Sequence, residues 1–428
     1  MSRRGGVLGL ALGCLGLASA VAAQQEVPPD ALGFEQVTFD EAVSRALARN
    51  PSVGEAAQAI LRAEAFLSAA RSVFLPYAYG NVGTTVLDEA RGFDGNIVQP
   101  RTQTAFSATV AYPVLAASRW AEKNQAEDRV ETAQAAAEET RSRVAVTAAQ
   151  AYLAVILAQR QREVTVRNRD TAKALEDYAR TRFDAGQGSR LNHVRSVQQL
   201  ASAEALIEAA ELALRQAQEA LGVAVFAPGP LDARGEPALP PVVLPADDAW
   251  LAGRPDVRLF STELQGADRI ASDSWKSWLP TLTASFTPRY VTPAGLFEPS
   301  KSWRAFFQLE IPIFDGTLAP EKRARIADRE AARLRLDART NEARSELRVA
   351  QERVERNERI VTAIRQAAES AAEALRITEV AYRAGATTNI EVVQAQQSAR
   401  NAAIEAALAE DRLRQARLDL LVALGQFP

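Results

Sequence analysis

The stretch TLTASFTPRY, residues Thr281–Tyr290, alternates between two kinds of side chain. Apolar or aromatic side chains occupy Leu282, Ala284, Phe286 and Tyr290, and the odd-numbered positions carry hydroxyl groups or a charge. A period of two predicts a β-strand with one apolar and one polar face. The rest of the chain is rich in Ala, Glu, Arg, Gln and Leu, which favour long helices. The fold must therefore combine an amphipathic sheet with extended helices.

Three further stretches of about 10 residues show the same alternation, and this length is enough to cross a bilayer as a tilted strand. They are Thr104–Val114, Trp303–Ile313 and, more weakly, Pro76–Val86. Aromatic residues cluster near the strand ends, as in the girdles of membrane β-barrels: Trp275, Trp278, Tyr290 and Trp303. A small soluble sheet packed on the helices is the alternative.

Four strands cannot close a membrane barrel by themselves. Each unpaired backbone group at an open sheet edge costs several kcal/mol in lipid. If the strands enter a membrane, several chains must pool them, and three copies would supply twelve. On this interpretation Leu282, Phe286, Phe307 and Leu309 face lipid, and Thr283, Ser285 and Thr287 face inward.

The sequence also repeats itself at an offset of about 200 residues, which predicts an internal duplication. The matched pairs are Asn50–Val53 with Arg254–Val257, Phe74–Pro76 with Trp278–Pro280, Tyr112–Val114 with Ile311–Ile313, Arg182–Gly186 with Ala381–Gly385, and Ala220–Gly222 with Ala423–Gly425. Each half reads as a short helix, two strands separated by a loop, a long helix, a glycine-containing turn and a return helix. We predict a first repeat over residues 24–227, a proline-rich irregular connector over 228–245 and a second repeat over 246–428.

The two longest helices are predicted from uninterrupted segments. No glycine or proline lies within Val114–Ala185 or Glu321–Ala384, and at 1.5 Å per residue each helix would extend about 100 Å. Heptad rows on both, for example Leu347, Val354 and Val361, predict coiled-coil seams, although an ordinary bundle core would give similar rows. Return helices are expected at about 189–221 and 388–424.

The N-terminus predicts a secretory signal peptide over residues 1–23. Arg3 and Arg4 precede an apolar run, and small residues end at Ala23. A twin-arginine signal and lipidation at Cys14 are the alternatives. Cleavage at Ala23 would leave a mature chain without cysteine, and no later apolar run is long enough for a transmembrane helix.

The remaining composition argues against several other functions. Lys and Arg total 50 against 53 Asp and Glu, with no basic segment, so nucleic-acid binding is not expected. The single histidine, His193, and the absence of catalytic or metal-binding motifs predict no enzyme activity, metal site or cofactor. Met1 is the only methionine, so the mature chain cannot form thioether sites for soft copper ions.

Taken together, the duplicated plan, Arg254-Pro255-Asp256-Val257 and the turns Phe183–Gly186 and Tyr382–Gly385 resemble the outer-membrane factor (TolC) family of export ducts. The resemblance covers essentially the whole mature chain. It implies a homotrimer whose twelve-stranded β-barrel in the outer membrane continues into an α-helical coiled-coil barrel in the periplasm. It also implies a periplasmic adaptor and an inner-membrane transporter as partners, in drug, metal or protein export.

The resemblance assigns roles to residues near the two turns. It places Gly186, Gly188, Gly385 and Thr388 at the periplasmic tip, where the adaptor binds. It places Tyr382 in the polar network that closes the duct and Glu391 in an acidic ring that attracts cations. The chain departs from the family pattern at three aperture positions, which suggests weaker charged contacts and weaker cation block: Thr387, Gln394 and Asn192. A helix-capping role for Glu391 is the alternative.

One other class of protein stays open. A periplasmic coiled-coil adaptor or scaffold without a pore would explain the signal peptide and the helical hairpins. It would not explain four alternating strands in corresponding positions of the two halves.

Overall fold

The computed structural model describes residues 34–237, 239, 242 and 248–427. The predicted signal peptide and Cys14 lie outside the described residues. The first half contains β1 (Glu35–Val37), α1 (Phe39–Arg49), α2 (Pro51–Ser72), β2 (Tyr77–Val86), β3 (Arg91–Phe93), β4 (Asn96–Gln99), β5 (Thr102–Ala116), α3 (Ala117–Asp184) and α4 (Arg190–Val225). After it come β6 (Leu231–Ala233), α5 (Trp250–Gly253), α6 (Pro255–Ser272), a 3-10 helix (Asp273–Trp278), β7 (Thr281–Thr292), β8 (Lys301–Glu310), α7 (Leu318–Arg383) and α8 (Asn389–Ala423).

The four predicted strands form one antiparallel sheet in the order β2-β5-β7-β8. The stretch that begins at Thr281 lies in its middle as β7 and continues to Thr292. β2 and β8 are the outer strands, and within the described residues the free side of each has no strand partner.

A short hairpin, β3–β4, was not predicted and lies in the loop between β2 and β5. Its turn contains Asp94 and Gly95, both with positive φ (52° and 79°). Asp-Gly is a common turn for hairpins whose two central residues have positive φ, so the local sequence did carry the signal.

The two long helices match the prediction closely, with 68 residues in α3 and 66 in α7. Each turns back on a return helix, so α3 packs on α4 and α7 packs on α8. Several heptad positions are buried: Ala137, Val144 and Ala158 in α3, and Ala343, Ala350, Val361 and Tyr382 in α7. Within the described residues, no helix combines the length and apolarity that a membrane span needs.

Two details of the predicted plan were wrong. The short first helix of each half, predicted as one segment over about 38–73 and 246–278, is divided. In the first half the break is at Asn50, whose side chain accepts a hydrogen bond from the Ser52 N–H and caps α2, while Pro51 has no N–H to continue α1. In the second half the break between α5 and α6 is at Arg254. The connector is also not irregular throughout, because Leu231–Ala233 pairs in parallel with Glu35–Val37.

A compact core surrounds the middle of α3, where α1, α3, α4 and α8 meet. Tyr152, Leu153, Leu221 and Leu418 are fully buried there. The Tyr152 hydroxyl donates to the carbonyls of Arg234 and Gly235 at 3.0 and 2.8 Å. Burial raises the pKa of Tyr152 to about 12, so the phenol stays neutral at physiological pH.

The Arg254-Pro255-Asp256-Val257 segment forms a second centre of stability. Arg254 is buried, pairs with Asp256 at 2.7 Å, and donates to Glu346 at 2.7 Å and to the Ala423 carbonyl at 3.1 Å. Arg339 also donates to Asp256, at 2.8 Å. Burial alone would raise the pKa of Asp256, but these hydrogen bonds outweigh it and lower the pKa to about 2. The motif therefore ties α6 to α7 and to the end of α8.

Candidate functional site

The two glycine turns at the far end of the helical hairpins have the same backbone geometry. In the first, the Gly186 N–H donates to the Phe183 carbonyl and the Gln187 N–H to the Arg182 carbonyl, both at 2.9 Å. In the second, Gly385 and Ala386 donate in the same way to Tyr382 and Ala381, at 3.0 and 2.8 Å. Gly186 and Gly385 have φ of 72° and 76°, which favours glycine after a helix end. Both hairpins thus reverse by a Schellman turn.

Gly188 has no such constraint on φ, but it lacks space for a side chain. A Cβ at this position would lie 2.8 Å from the backbone nitrogen of Phe183. The residue is therefore a glycine because the chain passes close to the end of α3. Gly186, Gly188 and Gly385 all have physical reasons to be glycine, and the adaptor contact predicted for them remains a proposal.

Glu391 forms part of a capping box at the start of α8. Its carboxylate accepts the Thr388 N–H at 3.4 Å, and the Thr388 side chain caps the helix in return. In the first half, Ser189 caps α4 by accepting the Leu191 N–H at 3.2 Å, and Asn192 occupies the position equivalent to Glu391. Glu391 thus has a local structural role, whether or not it also lines a pore.

A polar cavity of about 460 Å³ lies between the two tip turns. It brings together many of the predicted residues: Gly188, Asn192, Tyr382, Gly385, Thr387 and Thr388. Gly186, Glu391 and Gln394 are not in its lining. Among the described residues, the charged side chains in the lining are Arg182 and Arg195, with no carboxylate. Within one protomer this cavity therefore carries basic side chains, and the acidic ring that the resemblance implies for Glu391 stays a prediction.

Tyr382 lines this cavity and also forms an aromatic contact between the two hairpins. Its ring meets the edge of Tyr178 with the centroids 5.5 Å apart, and Leu175 and Val392 pack around it. The Tyr178 hydroxyl donates to the Arg383 carbonyl at 3.4 Å, and the Arg182 guanidinium lies 5.8 Å from the centre of the Tyr178 ring. Tyr178 and Arg182 are the residues here that the sequence did not identify.

Two buried hydrogen bonds also join the hairpins. The Asn389 amide donates to the Ser196 hydroxyl at 3.3 Å, and the Gln396 amide donates to the Asn168 carbonyl at 3.1 Å. Among the described residues, the amide oxygens of Asn389 and Gln396 have no hydrogen-bond partner. These hydrogen bonds therefore join α8 to α3 and α4 within one protomer.

At the other end of the molecule, the predicted lipid-facing residues share one face of the sheet. Leu282 is the register partner of Leu309, Ala284 of Phe307 and Phe286 of Ala305. On the opposite face the hydroxyls of Thr109 and Thr287 lie 3.0 Å apart. Tyr77 and Tyr79 also lie on this polar face, since they pair with Ala111 and Thr109. On the apolar face, β2 therefore contributes Ala78 and Val82 and not the two tyrosines.

The family of the protein follows from a match to a known protein family. A profile of the outer membrane efflux protein family matches residues 42–225 and 248–426, one match in each half of the chain. The chain belongs to the outer membrane efflux protein family.

Solved structures agree with this assignment at the level of the fold. The outer membrane channel CmeC of Campylobacter jejuni is 16% identical with a TM-score of 0.78, covering 91% of this chain and 86% of that one. The outer membrane protein VceC of Vibrio cholerae is 17% identical with a TM-score of 0.77, covering 90% and 96%. The open state of the Neisseria gonorrhoeae channel MtrE is 20% identical with a TM-score of 0.76, covering 90% and 88%. Comparison with curated proteins found no match.

Membership of the outer membrane efflux protein family answers the main functional question left by the sequence. The protein is an outer-membrane channel for efflux, with its helical part in the periplasm. The pore-free adaptor or scaffold considered above is therefore set aside.

Proposed function

We propose that three copies of this outer membrane efflux protein assemble into one duct, in which their sheets join as a twelve-stranded barrel. The observation that carries the proposal is the four-stranded sheet whose outer strands, β2 and β8, have free edges within the described residues. A free edge in lipid costs several kcal/mol per unpaired backbone group. Pairing β2 of one copy with β8 of the next removes every free edge when the ring closes.

The two faces of the sheet fit this arrangement. Phe286, Phe307 and Leu309 are exposed in the single chain and lie on one face. The opposite face carries Thr109, Thr287 and Arg304. Outer-membrane barrels have an apolar outer face and a polar lumen, so the first face would contact lipid and the second would line the duct.

The helical hairpins would continue the bore into the periplasm. A helix of the length of α3 extends about 100 Å, and α7 is almost as long. Exposed apolar side chains along α7, such as Leu334, Ile377 and Val380, leave a face for neighbouring copies to cover. The assembly would thus be a coiled-coil barrel below a β-barrel.

The tip turns would form the mouth that opens toward the pump. Tyr382, Thr387, Asn192, Glu391 and Gln394 are the proposed aperture residues. The turns at Gly186, Gly188, Gly385 and Thr388 are the proposed contact for a periplasmic adaptor, which would connect the duct to an inner-membrane transporter. Such a duct conducts passively, as part of a tripartite efflux or type I secretion system.

Purified protein tests the proposal directly. We expect it to migrate as a trimer that dissociates on heating, and to form conducting pores in planar lipid films. A monomer that forms no pores would contradict the proposal. A trimer that does not conduct would support the proposed assembly but contradict the open bore.

A further inference from the structure

The apolar face of the sheet is interrupted by a groove of about 730 Å³. Gly80 and its register partner Ala108 form the floor, and Val82, Phe106 and Tyr290 project from the same face beside them. Lys301, the register partner of Tyr290, lies at the end next to the loops. The lining also includes residues whose side chains alternate to the opposite face: Asn81, Ser107, Arg289 and Ser302. The side chains on the groove face are therefore mostly apolar, with the Lys301 amine at the end farthest from the helices.

The fold does not require a glycine at the bottom of this groove. Gly80 is not among the glycines with positive φ, and a Cβ there would meet only the Ser107 carbonyl oxygen at 3.8 Å, an ordinary contact. Glycine inside a strand weakens it and often marks a place where another molecule approaches closely. The missing side chain leaves space that the sheet itself does not use.

Lys301 is available to an external anion. Within the described residues it forms no ion pair, and the nearby acidic residue Glu298 binds Arg289 and Gln103 instead. The Tyr290 side chain lies beside it. Lysine and tyrosine at the end of an apolar surface are typical of the boundary between hydrocarbon and lipid headgroups.

We propose that the groove binds lipid A, with an acyl chain over Gly80 and Ala108 and a phosphate on the Lys301 amine. This inference rests on the proposed function, because the apolar face must lie in the membrane. The helices are periplasmic, so the loop end of the sheet reaches the outer leaflet, where lipid A presents both phosphates and acyl chains. The apolar floor and the unpaired cation fit those two parts of one molecule.

The test measures the lipid that purifies with the protein. Wild type, Gly80→Val and Lys301→Gln are extracted from outer membranes in mild detergent, and lipid A per trimer is determined by mass spectrometry. Gly83→Val is the matched control, because residue 83 lies on the same strand but the opposite face, with nothing within 4 Å of its Cβ. Lys322→Gln, at the start of α7, is the control for loss of a charge.

We expect wild type and both controls to retain lipid A. Lys301→Gln should retain about fivefold less, since one lysine–phosphate contact is lost. Gly80→Val should lose most of it, because the valine side chain would occupy the floor of the groove where the acyl chain lies. Equal lipid A in all five proteins, or retention of phosphatidylethanolamine or phosphatidylglycerol instead, would overturn the inference. Conductance of the same wild-type sample separates the two proposals: a conducting trimer without lipid A rejects only the groove, whereas a non-conducting monomer rejects the proposed function on which it rests.

Discussion

The core around Tyr152 and the four-stranded sheet differ in the exposure of their apolar side chains. Tyr152 and Leu153 are 0% exposed, and their neighbours come from helices of the same chain. Phe307 and Trp303 are 71% and 70% exposed, and every residue of β8 is exposed. The first region is therefore stabilised within one chain, whereas the apolar face of the sheet stays exposed in one chain and, under the proposed function, would be covered by lipid and by other copies. The two regions thus differ in how much of their apolar surface a single copy can bury.

The largest effect is expected from the core. Leu153→Ala should lower the free energy of unfolding by about 2–5 kcal/mol, because it leaves a cavity where the side chain was fully buried. Denaturant unfolding of the purified protein measures this. Val223→Ala, at an exposed position, is the control and should change stability by less than about 0.5 kcal/mol. Similar losses from both would mean that the core is not the stable region.

The effect of a charged side chain on the stability of the assembled protein should depend on which face of the sheet carries it. Phe286→Arg should destabilise the assembled protein by about 2–4 kcal/mol if residue 286 lies near the middle of the bilayer. Thr283→Arg, three residues away on the polar face, should be tolerated. The yield of heat-sensitive trimer in outer membranes is the readout. Equal loss from both substitutions would refute the assignment of the faces.

The Asp256 cluster predicts an acid-sensitive step in the helical region. The folded-state pKa of Asp256 is lowered from 3.8 to about 2. The resulting stability is therefore fully present above pH 3.8 and lost as the pH falls through about 2. It amounts to about 2 kcal/mol. Asp256→Asn should remove this part of the pH dependence, which is measured by unfolding both proteins between pH 5 and 2. If the variant loses stability with falling pH in the same way as wild type, the ion-pair account is contradicted.

The smallest effect separates the two roles of Glu391. Glu391→Gln keeps a capping side chain but removes the charge, and Glu391→Ala removes both, at a cost of about 1 kcal/mol to the helix start. If three Glu391 carboxylates line the mouth, both variants should show weaker block of conductance by divalent cations. If Glu391 only caps the helix, block should match wild type in Glu391→Gln.

The sequence predicted the parts of the fold that depend on local periodicity. The alternation in Thr281–Tyr290 and the uninterrupted segments of α3 and α7 gave the strands and the helices nearly to their ends. It did not predict the pairing of Leu231–Ala233 with β1, because three residues carry too little pattern and their partner is distant in the chain. The hairpin at Asp94-Gly95 was missed although its turn is a recognisable signal.

The candidate mouth was predictable only in part. The glycines at 186 and 385 follow from the need for positive φ after a helix. The contact of Tyr382 with Tyr178, and the cavity with Arg182 and Arg195, depend on how two hairpins pack. Such contacts join residues about 200 positions apart, and no local pattern in one sequence specifies them.

The union of sheets from separate copies is most directly tested by engineered disulfides. With Cys14 replaced by serine, Val82→Cys in β2 is combined in turn with cysteine at Trp303, Ala305 or Phe307 in β8. Within one chain these strands are separated by two others, roughly 14 Å apart, which is beyond the reach of a disulfide. We predict that one of the three pairs gives a covalent trimer on a non-reducing gel. The absence of any cross-link between copies, across all three pairs in outer-membrane preparations, would contradict the shared barrel.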